Sequence, residues 1–213
     1  EFKDYVTINV SEFFRGADKF LHVRDVVFPE LAETRRQIRI WSAGCSIGSE
    51  AYTLAMMLDS SGLRDRATIL ATDIDLTILN RARTGAGYLE NEVKDVPAEY
   101  LDRYFTQDDE GWTVDPKIRS VVQFKQQNLL TDAYPKNMDL IVCRNVVIYF
   151  TDEAKHKIYS GFHGALNPGG YVFVGGTEIM SRSREIGFES PDVYFYRRAM
   201  NAESGRTRQV CHQ

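Results

Sequence analysis

The stretch from Ile38 to Met56, IRIWSAGCSIGSEAYTLAM, constrains the fold of this chain more than any other. An apolar, partly β-branched run leads into a turn with two glycines and then into a helix-forming segment. Strand, tight turn and helix in that order form the first half of a βαβ unit. Such a turn lies at the carboxyl edge of a parallel sheet, where nucleotides bind. The rest of the chain continues the alternation. ATILATD (67–73), MDLIVCRN (138–145), YVFVGG (171–176) and VYFYRRA (193–199) read as strands. DLTILNRARTG (75–85) and DEAKHKIYSGFHGAL (152–166) read as helices, the second closed by the turn NPGG. The class is therefore α/β, with a mainly parallel, doubly wound sheet covered on both faces.

Three segments add detail. ADKFLHVRDVVFPELAET (17–34) predicts an amphipathic helix that bends or ends near Pro29. GFESPDVYFYRR follows the last crossover without a helix between its strands, which predicts an antiparallel hairpin at one edge. The region from Val96 to Leu130 breaks the alternation: a short helix, then two or three short β segments around DDEG and DP. It predicts a small antiparallel β-subdomain inserted at about residues 97–127. Residues 1–200 then form one domain, a size that 213 residues with 43% hydrophobic content supports. The polar tail 201–213 reads as disordered, and the opening EFKDYVTINV reads as the middle of a longer chain.

Charge and cysteines narrow the chemistry. A formal net charge of -4 gives no global attraction to nucleic acid or anionic lipid. Cys45, Cys143 and Cys211 are odd in number and widely spaced, which argues against a disulfide framework and a zinc site. No secretory signal or long apolar run is present, so a cytoplasmic protein without membrane insertion is expected.

The turn then selects among nucleotides. A P-loop ends in Gly-Lys-Ser/Thr, which is missing. The NAD fingerprint needs G-x-G-x-x-G, whereas Gly44 and Gly48 are spaced G-x-x-x-G. Glu50 sits in the first helical turn, where it repels phosphate and favours a cation or hydroxyl donors. The second strand ends at Asp73, placed to accept both hydroxyl protons of a ribose. Adenosine without phosphates, joined to a cationic amino-acid part, describes S-adenosylmethionine. An ordinary turn with a helix-capping acid accounts for the same two motifs, and both readings stand on them alone. Of the two acids in TDIDLT, Asp75 suits the cap and Asp73 the ribose.

Five segments in order, NVSEFFR (9–15), WSAGCSIGSEAY (41–52), ATDID (71–75), NLL (128–130) and CRNVVIYF (143–150), resemble the CheR-type chemotaxis receptor methyltransferases from about Thr7 to Arg198. The resemblance implies a Rossmann-like class I methyltransferase fold. It implies transfer of methyl from S-adenosylmethionine to receptor glutamates, leaving S-adenosylhomocysteine, with no metal. It implies that Asn9, Ser11 and Arg15 contact the cofactor or border its methyl end, and that Gly44 belongs to the cofactor loop. Glu50 is placed near the methionine part and Asp73 on the ribose. Asn128 and Leu129 flank the adenine, and Arg144 and Asn145 line the methionine end. Arg15 and Tyr149 face the transferred methyl, with catalytic positioning roles. The implied partner is the cytoplasmic helical region of methyl-accepting chemotaxis receptors.

Departures from the family pattern carry their own implications. Ser49 and Ser11 stand where members often have an acid and a threonine. The helical domain that precedes this region in members, and helps dock receptor helices, is largely missing from this sequence. The short TQDDEG resembles the members that do not bind a receptor C-terminal pentapeptide. Two other functions compete: a regulatory or adaptor module that binds S-adenosylmethionine without turnover, and an NAD-dependent enzyme, which the glycine spacing disfavours.

Overall fold

The computed structural model describes residues 11–200. Asn9 and the tail 201–213 lie outside the described residues, as does the side chain of Tyr149.

Helix α1 (Ala17–His22) runs through a π-helical turn at Val23–Val27 into α2 (Phe28–Thr34). The helical run does not end at Pro29. The wider turn precedes it and absorbs the missing N–H and the ring, which would otherwise clash with an α-helical carbonyl. Strand β1 (Ile38–Ala43) leads to α3 (Ser49–Ser60), and β2 (Ala67–Asp73) leads to α4 (Leu76–Thr84). Asp75 caps α4, accepting from the N–H groups of Thr77 and Ile78 at 2.7 and 3.3 Å. Next come α5 (Glu90–Val93), α6 (Ala98–Tyr104), the hairpin β3 (Phe105–Asp108) and β4 (Gly111–Val114), and α7 (Pro116–Arg119). The remainder is β5 (Val122–Gln126), β6 (Met138–Cys143), a 3-10 turn at Val147–Tyr149, α8 (Asp152–Ala165), β7 (Leu166–Val174), α9 (Ser183–Ile186), β8 (Phe188–Asp192) and β9 (Phe195–Arg198).

Seven strands form one sheet in the order β5-β2-β1-β6-β7-β9-β8. β5, β2, β1, β6 and β7 are parallel to their neighbours. β9 is antiparallel to both β7 and β8, which is the expected edge hairpin. This is the doubly wound, Rossmann-like α/β sheet anticipated for a class I methyltransferase.

Two expectations are corrected. The third short β segment, β5, is not part of an inserted unit: it pairs with β2 from Ile69↔Val122 to Asp73↔Gln126 as the edge of the main sheet. Only β3 and β4 form a separate antiparallel sheet. The NPGG segment does not close α8 as a free turn but lies within β7, where the register against β6 shifts between Met138 and Leu140.

Alternation along the strands builds two cores. Ile38 and Ile40 of β1, Leu140 and Val142 of β6, and Tyr171 and Phe173 of β7 join α1, α2, α3 and the inserted hairpin on one face. Trp41, Ala43, Ile141, Cys143, Val172 and Val174 join α8 on the other. All six residues of β6 are buried, as a central parallel strand covered on both faces requires. No helix among the described residues is long and apolar enough to cross a membrane.

Candidate functional site

The strand order reverses between β1 and β6, and the loops leaving their carboxyl ends diverge there. A cavity of about 330 Å³ opens at this point, where open α/β sheets bind ligands. Its wall contains all the predicted cofactor-binding residues among the described residues: Ser11, Arg15, Gly44, Glu50, Asp73, Asn128, Leu129, Arg144 and Asn145. They come from five separate loops and turns. A larger groove of about 790 Å³, between α2, α6 and the end of α3, contains none of them.

The loop after β1 approaches the loop after β6 closely. Gly44 has φ 78°, and a Cβ there would come within 2.4 Å of Val146 Cγ2. Glycine therefore serves both the backbone conformation and the contact. Gly48, at φ 84°, precedes α3. Ser46 between them is also left-handed, at φ 49°. Its N–H donates to Asp73 Oδ2 at 2.8 Å, and its hydroxyl accepts from Ser11 at 2.9 Å. These bonds hold a conformation that non-glycine residues rarely adopt. Asp73 Oδ1 accepts the N–H of Asp75 at 3.1 Å. The carboxylate thus fixes the loop beneath the cavity while it also lines the wall.

Glu50 and Arg144 form the polar end. The Glu50 side chain is 16% exposed and that of Arg144 8%, with 3.9 Å between Oε2 and Nη1. Burial pushes the Glu50 carboxyl above its ordinary value, opposed by Arg144 and by the Ser42 hydroxyl, which donates to it at 2.8 Å. Burial pushes Arg144 down from its ordinary value, opposed by Glu50 and reinforced by the charge of Arg15. The Arg144 guanidinium lies over Phe20 and Phe173, 5.0 and 4.9 Å from the ring centroids. Its Nη2 donates to the carbonyl of Arg15 at 2.7 Å, while its buried Nε has no hydrogen-bond partner. Both charged groups have lost water without gaining a full partner.

The segment before α1 crosses over the cavity. It is held by the Phe14 N–H on Thr53 Oγ1 at 3.1 Å and by the Phe13 N–H on the Glu92 carbonyl at 2.9 Å. Arg15 is half-buried at its end. Phe13 and Phe14 are core, and Phe20 and Phe150 supply the aromatic wall. Asn128 uses its side-chain oxygen in a local turn, accepting from the Leu130 N–H at 2.9 Å. Cys143 is fully buried, and burial pushes its thiol up, which suits packing and not nucleophilic attack. No group of three or more His, Cys, Asp or Glu side chains able to hold a metal occurs among the described residues.

Sequence reasoning missed Ser46, Ile74, Gln127 and Val146, all in the cavity wall. Ile74, Gln127 and Val146 directly follow or precede a predicted site residue, and Ser46 lies two residues past Gly44. Proximity to a strand end was the one available signal, because uncharged residues of these types are ordinary in loops.

Comparison with known proteins identifies the family. The family described as CheR methyltransferase, SAM binding domain, matches residues 9–194. The chemotaxis protein methyltransferase of Listeria monocytogenes is 40% identical over 197 residues, 92% of this chain and 75% of that protein. The protein of the same description from Borreliella burgdorferi is 34% identical over 206 residues, 91% and 72% of the two chains. Among solved structures, a SAM-dependent methyltransferase from Methanosarcina mazei is 17% identical with a TM-score of 0.43, covering 66% of this chain and 52% of that one.

Proposed function

This chain belongs to the CheR methyltransferase family, and on that premise we propose that it methylates glutamate side chains of chemotaxis receptors, in their cytoplasmic helical region, as methyl esters. S-adenosylmethionine is the cofactor of the matching domain. The observation that carries the reading is the pair Glu50 and Arg144: opposite charges, both desolvated, 3.9 Å apart at one end of the cavity. A zwitterionic amino-acid group fits there. Its ammonium suits Glu50, and its carboxylate suits Arg144 with the unpartnered Nε. Asp73 is the ribose acceptor in this reading, Asn128 and Leu129 flank the base, and Ser11 and Asn145 close the two sides.

When bound, S-adenosylmethionine supplies a methyl group already activated on a sulfonium and is left as S-adenosylhomocysteine. The acceptor glutamate, with an ordinary pKa of about 4.3, is ionised at neutral pH, so the protein needs no strong base. Its contribution is orientation, worth about 7–11 kcal/mol. Arg15 aims the incoming carboxylate, and Tyr149 is assigned a hydrogen bond to it. A tight grip would dull the nucleophile, so both are positioning roles. The two-residue turn between β3 and β4 supports docking independent of a receptor C-terminal pentapeptide.

Asp73→Ala is expected to weaken S-adenosylhomocysteine binding at least fivefold, about 1 kcal/mol, by calorimetry. Unchanged affinity would refute the ribose assignment. Binding should also fall on acidification. A cation beside Glu50 favours its ionised form, so affinity is full well above the carboxyl's value in the free protein and drops as pH falls through it. Burial raises that value, so the loss begins at higher pH than for an ordinary glutamate. In Glu50→Gln this pH dependence should disappear; an identical acid limb in the variant would exclude Glu50 as its source.

The decisive test is transfer of label from methyl-tritiated S-adenosylmethionine to receptor-containing membranes. Base-labile release as methanol supports the ester. Cofactor binding without label transfer, where an intact family member labels the same membranes, would favour a cofactor-binding adaptor.

A further inference from the structure

Glu178 lies outside the cavity wall, in the loop after β7, yet the residue is buried, 4% exposed. Each carboxylate oxygen accepts two backbone N–H groups. Oε2 takes Asn145 at 2.7 Å and Gly175 at 2.8 Å, and Oε1 takes Val146 and Val147, both at 2.9 Å. Four donors meet the four acceptor sites of one carboxylate, so its hydrogen-bonding capacity is filled by backbone alone. Three of those donors are consecutive residues that directly follow Arg144.

The segment held in this way is strained. Asn145 has φ 59°, a left-handed conformation that costs energy and persists only where the surroundings enforce it. Gly175 permits the enforcement. A Cβ there would come within 2.5 Å of Glu178 Oε2 and 2.9 Å of the Asn145 N. The strained turn presents Arg144 and Asn145 to the cavity together, with Arg144 between Phe20 and Phe173.

We propose that Glu178 is a positioning residue for the cofactor site: by binding the N–H groups of Asn145, Val146 and Val147 it locks the turn that aims Arg144 and Asn145 at the methionine end. This rests on the cofactor site described above. The carboxylate matters here as an acceptor in both oxygens. Glutamine keeps size and shape, but in either orientation its NH₂ faces two N–H donors that then have no acceptor. Loss of the lock releases the turn, and Arg144 no longer meets the ligand in one geometry.

The test is calorimetric binding of S-adenosylhomocysteine, with thermal melting of the unliganded protein, for wild type, Glu178→Gln, Gly175→Ala, the double variant and Phe162→Leu. Phe162 is fully buried against α8's side of the sheet and serves as a stability control. Glu178→Gln is expected to weaken binding at least tenfold, while Phe162→Leu lowers the melting temperature and leaves affinity within twofold. Gly175→Ala attacks the same contact from the other side and is expected to weaken binding at least fivefold. If Glu178→Gln does not fold, this variant decides the matter. The double variant should lose little more than Glu178→Gln alone, because one lock is broken twice. Wild-type binding with Glu178→Gln and Gly175→Ala both within twofold of it would overturn the positioning role alone. A wild-type protein that does not bind would overturn the cofactor assignment and this inference with it.

Discussion

Arg144→Leu is expected to weaken S-adenosylhomocysteine binding by 100-fold or more while the protein stays folded. Leucine preserves the apolar contact between Phe20 and Phe173, where the guanidinium now lies, so packing is largely kept. The electrostatics are not. Glu50 loses the nearest positive charge that opposes its desolvation, and its carboxyl, already raised by burial, moves further up. A carboxyl protonated nearer neutral pH no longer holds an ammonium, and the ligand's carboxylate loses its own partner. Truncating one partner of a buried, hydrogen-bonded charge pair in a binding site typically costs about 2–5 kcal/mol of affinity, a range that includes 100-fold and more. The carbonyl of Arg15 also loses its donor at 2.7 Å, so the segment over the cavity loosens. Calorimetry decides it. Affinity within fivefold of wild type would mean that the methionine end lies elsewhere.

Arg15→Ala should show the opposite balance. Turnover is expected to fall about 100-fold, the size of loss that misplacing a reacting group causes, against only a few-fold loss of cofactor affinity. Arg15 lies in the cavity wall, close enough for its charge to reinforce the lowering of Arg144 by burial. Its guanidinium offers a positive charge to an incoming carboxylate that is ionised at neutral pH. Steady-state kinetics with receptor membranes and calorimetry with S-adenosylhomocysteine separate the two effects. A variant with full activity would remove Arg15 from substrate positioning. One in which affinity falls as far as turnover would make it a cofactor ligand only.

The parts of this site legible in sequence were those at strand ends. Gly44 and Asp73 could be found because a doubly wound sheet places its ligands at the carboxyl ends of β1 and β2, and those ends are visible as the points where apolar runs stop. Arg144 and Asn145 follow the buried run of β6 directly, but only the family resemblance singled them out, and their charge balance with Glu50 was not legible. The short strand β5 was misread because VQFKQ alternates in period two with a modest apolar face. That pattern says strand without naming its partner, and a neighbouring hairpin offered a nearer one than β2. The π turn before Pro29 was not legible, because it is set by packing against the core and leaves no periodic mark. Glu178 stood in a polar loop, GGTEIMSRSRE, with nothing to distinguish it from a solvated acid.

Local chemistry settled which elements exist, since apolar period, caps and glycine turns act between residues close in the chain. Asp75 capping α4 and the buried run of β6 are of this kind. Folding in three dimensions settled which charges lose water and which backbone donors converge. Glu50 and Arg144 are 94 residues apart by their numbers, and Glu178 meets N–H groups some 30 residues earlier. Desolvation and the convergence of N–H groups on one carboxylate depend on what surrounds an atom in space, and no spacing along the chain encodes that.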